Sequence, residues 1–573
     1  MRGTADLELS ANSSMNAQGV EGHMGLAVAL GAEGRRGGMV LERGRTPVRV
    51  ERMQEFLDRY PDRAAARLLG EGFRWGFRIP AEVTAGPVVH KNLRSALEHA
   101  DVVTEKLNRE VALGRMAGPF KVPPLPSLRV SPLGVVPKKE PNKFRLIHHL
   151  SFPKGASVND GIDPELCSVV YTSFDAAVGW VRRCGQGALL AKVDVEAAFR
   201  LLPVHVESMG LLGCYWGGEY FVDRCLPMGC SLSCAYFEAF SSFLEWVVVE
   251  VSGCASVIHY LDDFLCLGPA NSRVCSLLLH TVQSVFARFG VPLAVEKTVG
   301  PVTELCFLGI VIDTVRMECR LPADKLLDLR REISQAIGRE KIRLRELQSL
   351  LGKLNFACQI MPMGRIFCRR LAAATAGVSA PYHFIRLRKE LKGDLRVWAE
   401  FLERYNGRTL IMGEVCDCAD FELYTDASGG VGFGAYCQGQ WCAGGWPESW
   451  VERGWVSNIA LLELFPIVMA VVLWGDRFAN RKVRFNCDNL GVVQAINSLS
   501  ASSPPVVRLL QFLVLQCLSI NVWVVARHVA GVTNSVADSL SRLQWDRFRL
   551  LVPEAELEGL ECPSWLWGIL EER

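Results

Sequence analysis

Apolar positions recur at helical spacing from Val50 to Phe73 and again from Asn92 to Met116, where Leu93, Leu97, Ala100, Leu107 and Val111 share a face. A mainly helical lead-in is predicted there. Pro119, Pro123, Pro124, Pro126 and Pro132 then mark an extended connector. Between Pro132 and about Asp313, short runs of Val, Ile, Leu and Phe alternate with helical segments, the pattern of an α+β or α/β domain. Residues 321–405 return to helix: Leu326, Leu329, Ile333 and Ile337 line one face, and Leu347, Leu350 and Leu354 the next. Past a break near Gly413 the order reads strand, strand, strand, helix, strand, helix, helix, strand, helix. The expected layout is a flexible tail over 1–46, a helical lead-in over 47–125, a mixed domain over 126–318, a helical bridge over 319–412, a second mixed domain over 418–545 and a tail over 546–573. The fold class is therefore multidomain α/β and α+β.

Composition narrows the picture. A chain of 573 residues exceeds one hydrophobic core, and 50% hydrophobic with 22% charged residues excludes a mostly disordered or collagen-like protein. The net charge of +2 argues against a simple basic nucleic-acid-binding module, but the charge is uneven. Residues 121–160 carry seven Lys/Arg against two Asp/Glu, and residues 316–408 carry twenty against ten. A polyanion fits these two segments, around Lys138, Lys139, Lys143 and Arg145 and around Arg339 to Arg345; a solvated helix face explains the second equally well.

The 20 cysteines lie mostly in apolar runs, as at Cys225, Cys234 and Cys254, with no C-x-x-C pair, which suits a reducing, intracellular compartment better than a disulfide scaffold or a zinc knuckle. Met1 to Gly44 lacks a signal core, and the longest apolar stretch, Leu464 to Trp474, is too short for a bilayer. The expectation is a soluble protein without a membrane partner, in nucleus or cytoplasm.

The run Ala188 to Asp194 is an apolar strand ending in an acid, and Val257 to Leu267 reads as a hairpin with Asp262 and Asp263 at its tip. Carboxylates on neighbouring strand ends suit two Mg²⁺ ions, which clamp attacking and leaving oxygens in phosphoryl transfer. A turn with two solvated acids is the plain alternative. Lys138 and Arg145, in Val136-Pro-Lys-Lys-Glu-Pro-Asn-Lys-Phe-Arg-Leu-Ile147, form a basic hairpin suited to a triphosphate, or simply a charged turn.

Taken in order, Lys138 and Arg145, Asp194 to Phe199, Leu226-Pro-Met-Gly229, Tyr260-Leu-Asp-Asp263, Lys297 and Phe307-Leu-Gly309 resemble the motif series of retroelement reverse transcriptases over about 130–313. The resemblance implies a right-hand polymerase with fingers, palm and thumb that makes DNA on an RNA or DNA template. It implies that Asp194, Asp262 and Asp263 bind two metal ions and that Lys138 and Arg145 hold the incoming deoxynucleoside triphosphate. Phe199 would exclude a ribose 2′-hydroxyl, Lys297 would protonate pyrophosphate, and Phe307 and Gly309 would grip the primer end. Met228, beside Gly229, stands where many relatives carry Gln, and a thioether cannot donate the amide's hydrogen bonds.

In the second mixed domain, Phe421 to Asp426 is a strand whose acid faces the Gly-rich hairpin Gly429 to Gly434. Glu463 sits in the otherwise apolar helix Ala460 to Trp474, where an acid is costly unless it reaches an edge or a metal. Asp488 ends a strand and Asp538 opens a helix, positions where acids are common for structural reasons alone. Together the four resemble the Asp-Glu-Asp-Asp set of RNase H over about 418–545, with His528 ten residues before Asp538. The resemblance implies an RNase H-like mixed-sheet fold and a second pair of Mg²⁺ ions on Asp426, Glu463, Asp488 and Asp538, activating water to cut the RNA strand of an RNA–DNA hybrid, with Mn²⁺ as a substitute at either site. His528 would shuttle a proton or aid product release.

Val50-Glu-Arg-Met-Gln-Glu-Phe-Leu-Asp-Arg-Tyr-Pro61, Ser131-Pro-Leu-Gly-Val-Val-Pro-Lys-Lys139 and Ser157-Val-Asn-Asp160 resemble DIRS-type elements, with gypsy-type LTR elements as the nearest competitor. DIRS-type elements pair this polymerase with a tyrosine recombinase, expected here on another chain. The partners implied are an RNA template, a DNA primer, their hybrid and deoxynucleoside triphosphates. A catalytically inactive nucleic-acid-binding relic, or a protein retaining only the nuclease, fits the same motifs.

Overall fold

In the computed structural model, which describes residues 41–83, 88–138, 143–404, 408–410, 415–530 and 534–570, Asp62 accepts a hydrogen bond from the Ala65 amide and so starts helix α2 (Arg63–Trp75), just after α1 (Val50–Leu57). Both helices bury one stripe, with Met53, Phe56, Leu57, Leu69 and Phe73 inside. Phe56 meets Phe289, Tyr60 meets Phe243 and Trp246, and Phe73 meets Phe240, all edge to face. The lead-in thereby packs on α3 (Leu232–Ser252) and on the helix Val274–Phe289. It is not wholly helical: Met116–Phe120 is a strand in a five-stranded sheet with Val88–Val89, Arg129–Val130, Gly213–Trp216 and Glu219–Asp223.

The central sheet is antiparallel and contains β1 (Leu189–Asp194), β2 (Val257–Tyr260) and β3 (Asp263–Gly268), in the order Val299–Val302, β1, β3, β2. The helices Phe174–Cys184, α3 and Val274–Phe289 pack against it. Residues Phe264 to Leu267 are all fully buried, which is why this strand reads as an unbroken apolar run instead of an alternation. Upstream, Leu133–Pro137 and Phe144–His148 form the expected hairpin, whose tip, residues 139–142 with Lys139, lies outside the described residues.

In the helical bridge, α4 (Ala323–Ile337) buries Leu326, Leu329 and Ile333, and α5 (Leu344–Ala357) buries Leu347, Leu350 and Leu354, as their spacing predicts. A ribbon absent from that reading lies beside them: β4 (Lys341–Arg343) pairs with β5 (Phe384–Arg386). The second mixed domain follows the predicted order. β6 (Leu423–Ala427), β7 (Gly432–Cys437) and Gln440–Gly445 form one antiparallel sheet. α6 (Ile459–Trp474) comes next, then β8 (Lys482–Cys487), the helices Leu490–Ser498 and Pro504–Ser519, β9 (Trp523–His528) and α7 (Ser535–Ser541). β8 runs parallel to β9 and to Val415–Asp417. The break near Gly413 lies outside the described residues.

Two expectations need correcting. α3 spans 21 residues and Ile459–Phe478 spans 20, and both are long and apolar enough to cross a membrane. The helix α6 outruns the uninterrupted apolar stretch because Asn458 caps it through the Leu461 amide and the helix absorbs Glu463 and Pro466. It is a core helix, with 72% of its apolar window buried inside the protein. Residues 546–570 are not a loose tail either. Leu566 and Leu570 are buried, and Trp567 stacks on Phe465 at 4.7 Å. One cluster of buried side chains runs from Phe174 to Leu570, so both mixed domains and the bridge share a core. Residues 42–573 form one compact unit.

Candidate functional site

The β1–β3 register sets Asp263 directly opposite Asp194, and the β2–β3 register sets it opposite Tyr260. Only Leu261 and Asp262 are left to turn the hairpin, with Leu261 at φ 52 in the left-handed region. The Asp262 carbonyl accepts from the Val195 amide at 2.9 Å, which ties the hairpin tip to the end of β1. Three carboxylates thus meet at one end of a sheet. Burial pushes Asp262 up to about 6, with Asp194 and Asp263 adding to the shift and Lys297 opposing it. Asp263 is raised by burial too, against the pull of Lys192.

Lys297 Nζ donates to Asp194 Oδ1 at 2.8 Å, and this bond holds the ammonium above its usual range. Lys192 Nζ stands 3.5 Å from Asp263 Oδ1, an ion-pair contact without a hydrogen bond; that buried oxygen has no hydrogen-bond partner among the described residues. An acceptor-only oxygen left bare beside two other carboxylates is the donor set a hard divalent cation fits.

Asp194 and Asp262 open on a cleft of about 470 Å³ whose lining includes Lys138, Arg145, Phe199 and Met228. Arg145 and Lys138 are exposed at its rim, while Phe199 is half-buried with its ring edge-on to Phe237. A buried network fixes the turn that carries Phe199: Arg200 donates to Asp223 at 2.7 Å and to Glu110 at 3.0 Å, and His148 donates to Asp223 at 2.9 Å. Gly229, at φ 123, passes so close to the His148 carbonyl that a Cβ there would sit 2.0 Å from the oxygen. Phe307 is fully buried, and Leu308-Gly309 is a two-residue turn between Phe307 and Ile310, so of the segment Phe307 to Gly309 the turn is the part that reaches the surface.

The second set is built on β6, α6, β8 and α7. Gly434 of β7 lies opposite Asp426, and α7 crosses it closely: a Cβ on Gly434 would stand 2.4 Å from Leu540 Cβ. That approach lets Ser541 Oγ donate to Asp426 Oδ2 at 2.6 Å and brings Asp538 to the site. Glu463, buried on α6, is pushed up to about 9 by burial, then by Asp426 and Asp488. Burial likewise takes Asp426 up to about 6, Asp488 and Asp538 adding and Ser541 opposing. Asp538 goes the other way: burial would raise it, but Arg542 at 2.7 Å and Arg547 at 2.6 Å hold it low.

Donor atoms of Glu463, Cys487 and Asp488 lie within 4.8 Å of one another. A carboxyl group raised by burial, and after that by two neighbouring carboxylates, fits a site that a cation completes. His528 is exposed at the end of β9, its Nε2 donating to the Asp488 carbonyl at 3.1 Å. Lys192, Cys487, Ser541, Arg542 and Arg547 escaped the sequence reading. Cys487, Lys192, Ser541 and Arg542 stand next to or near recognised acids, but Arg547 carries no local signal.

No family model matches the chain. Over 256 residues it is 26% identical to the Gag-Pro-Pol polyprotein of human T-cell leukemia virus 3 (strain 2026ND), covering 44% of this chain and 17% of that one. Against the Gag-Pro-Pol polyprotein of human T-cell leukemia virus 2 the identity is 24% over 265 residues, covering 44% and 16%. The chain is similar to a segment of retroviral Gag-Pro-Pol polyproteins. The match spans about a sixth of the length of these relatives. Among solved structures, a foamy viral protease-reverse transcriptase in complex with double-stranded DNA aligns at a TM-score of 0.48 and 14% identity, covering 84% of this chain and 82% of that one. A foamy viral protease-reverse transcriptase in complex with an RNA/DNA hybrid aligns at 0.47 and 15%, covering 83% and 62%.

Proposed function

We propose that the protein is an RNA-directed DNA polymerase with ribonuclease H activity, working at two separate carboxylate centres. The observation that carries this reading is two separate gatherings of acids, Asp194, Asp262 and Asp263 at one end of the central sheet and Asp426, Glu463, Asp488 and Asp538 in the second mixed domain, in which Asp262, Asp426 and Glu463 are each raised by burial and by neighbouring carboxylates. Mg²⁺, or Mn²⁺ in its place, bound to such carboxylates supplies charge neutralisation and activation of the attacking oxygen.

Around the first centre, Lys138 and Arg145 pair with the triphosphate at the cleft rim, and Arg can do so bidentately. Phe199, held in place through Arg200, presents a flat ring where a 2′-oxygen would have to sit. Lys297 is placed beside Asp194 to give a proton to the leaving pyrophosphate. The Leu308-Gly309 turn touches the primer end through its backbone while Phe307 stays in the core. Around the second centre, His528 is exposed and able to move a proton as product leaves. The similarity to a segment of Gag-Pro-Pol polyproteins supports a retroelement origin. The finer reading, a DIRS-type element acting inside the cell with a tyrosine recombinase on another chain, rests on the phrases Ser131 to Lys139 and Ser157 to Asp160.

Primer extension and hybrid cleavage with Mg²⁺ test the proposal together. Asp262→Asn is expected to abolish DNA synthesis and spare cutting of the RNA strand, and Asp426→Asn to do the reverse. A parent protein that binds hybrid but incorporates no deoxynucleotide would sink the polymerase reading. Loss of both activities by either single change, in a folded protein, would contradict two separate centres.

A further inference from the structure

Resting on the polymerase reading, we propose that Glu110, on the lead-in helix Ala100–Ala112 and outside the motif series, is a positioning residue for sugar selection: it clamps Arg200 and thereby sets where the Phe199 ring stands in the cleft. The backbone that carries the ring does not hold itself. Ala197, two residues before Phe199, lies at φ 56 in the left-handed region, a conformation that a residue other than glycine keeps only where its surroundings fix it. After it, Ala198–Leu201 is one short 3₁₀ turn, with little ladder of its own. The guanidinium next to the ring supplies the missing hold. Arg200 Nε donates to Glu110 Oε2 at 3.0 Å, and Nη1 donates to Asp223 Oδ1 at 2.7 Å and to the Cys225 carbonyl at 3.0 Å. Nη2 reaches the Arg115 carbonyl at 3.4 Å.

Glu110 is shared by two guanidinium groups. Arg115 Nε donates to its Oε2 at 2.9 Å and Arg115 Nη2 to its Oε1 at 2.7 Å, so Oε2 lies between Arg115 and Arg200. Without that negative charge the two cations face each other, and Arg200 is pushed from its place. Ion pairs this largely buried add little net stability, because desolvation offsets their attraction, but losing one partner leaves the rest uncompensated. The clamp has a second end. Asp223 Oδ2 accepts from His148 Nδ1 at 2.9 Å, and His148 closes the strand Phe144–His148 that carries Arg145. Glu110, Arg200, Asp223 and His148 line the same cleft as Phe199. The ring that faces the sugar and the hairpin that faces the triphosphate therefore share one frame, and the lead-in helix is its third side.

The test measures kcat/KM for a deoxynucleoside triphosphate and for the matching ribonucleoside triphosphate on one template–primer, with the full-length protein and Mg²⁺. Glu110→Gln is expected to cut the preference for the deoxy sugar ~10-fold, because a ring displaced by about 1 Å no longer blocks the 2′-oxygen, while kcat/KM for the deoxynucleotide falls less than about threefold. In a Phe199→Val background the same change should alter the preference by less than about twofold, since the ring it acts through is gone. Arg200→Lys keeps the charge, but one ammonium cannot span Glu110 and Asp223, so it should lower the preference as far; it carries the test if Glu110→Gln does not fold. Glu105→Gln, the same charge change at an exposed position of the same helix, should leave the preference at its parental value. An unchanged preference in folded Glu110→Gln or Arg200→Lys would overturn the assignment. So would an equal fall in kcat/KM for both sugars, the mark of a merely structural role, or a full further fall in the Phe199→Val background. An equal loss from Glu105→Gln would overturn it in favour of net charge. Each of these leaves the polymerase reading standing, whereas a parent that incorporates neither nucleotide sinks that reading and the clamp with it.

Discussion

Lys297 reaches Asp194 across 103 residues of sequence, and Arg200 reaches Glu110 across 90, so the side chains that tune this site are chosen by contact and not by neighbourhood. At the residue scale two outcomes follow from such contacts. Phe199→Val removes the ring that Arg200 holds over the cleft and is expected to admit ribonucleotides at least tenfold more readily. Unchanged sugar selection in steady-state incorporation would defeat the gate assignment. His259 on β2 lies between two acids, Nδ1 donating to Glu245 at 2.5 Å and Nε2 standing 3.2 Å from Glu238. Burial opposes its charge, but the two carboxylates prevail and push it up to about 9 from 6.5. A folded-state value above the unfolded one means stability fully present below pH 6.5 and lost as pH rises through 9. His259→Gln is expected to remove that slope, worth about 3 kcal/mol. Urea midpoints between pH 6 and 10 would read it, and a slope that survives the substitution would contradict the ion triad.

Among the elements, α6 is where the proposed second centre competes with stability. It is apolar all round and buried, except that it carries Glu463 into a nest of acids. Glu463→Leu removes a desolvated carboxylate with no cationic partner among the described residues, and is expected to raise stability by about 1–3 kcal/mol while abolishing hybrid cleavage. Thermal unfolding and a cleavage assay on the same preparation check both halves; a lowered melting temperature would make Glu463 a structural residue. The long elements were legible, α4 and α5 because many residues repeat a period, and α6 because an unbroken apolar run of that length suits a buried helix. The ribbon was not: β4 and β5 have three residues each, too few for alternation to stand out inside a helical stretch.

Over the whole molecule one core joins both mixed domains and the bridge, with the helix Pro504–Ser519 packed on the turn Pro362–Phe367. Its last layer comes from the C-terminal segment, where Trp567 stacks on Phe465 and its carbonyl lies 3.3 Å from the Trp450 indole nitrogen. Trp567→Ala is expected to cost about 2–3 kcal/mol and to lose hybrid cutting at a lower temperature than DNA synthesis. Equal temperature profiles for the two activities would argue that the shared core unfolds as one. The net charge of +2 is likewise a whole-molecule sum, in which the basic bridge offsets the seven acids of the two centres. The amino-acid order by itself determined the types of the long elements, their succession and the seven carboxylates, because periodicity and motif spacing are local. Tertiary structure alone decided that Asp263 faces Asp194, that Phe307 is core, that Arg542 and Arg547 clamp Asp538 and that Lys341 lies opposite Arg386. Strand register and burial depend on which distant segments close over one another, and no local window encodes that.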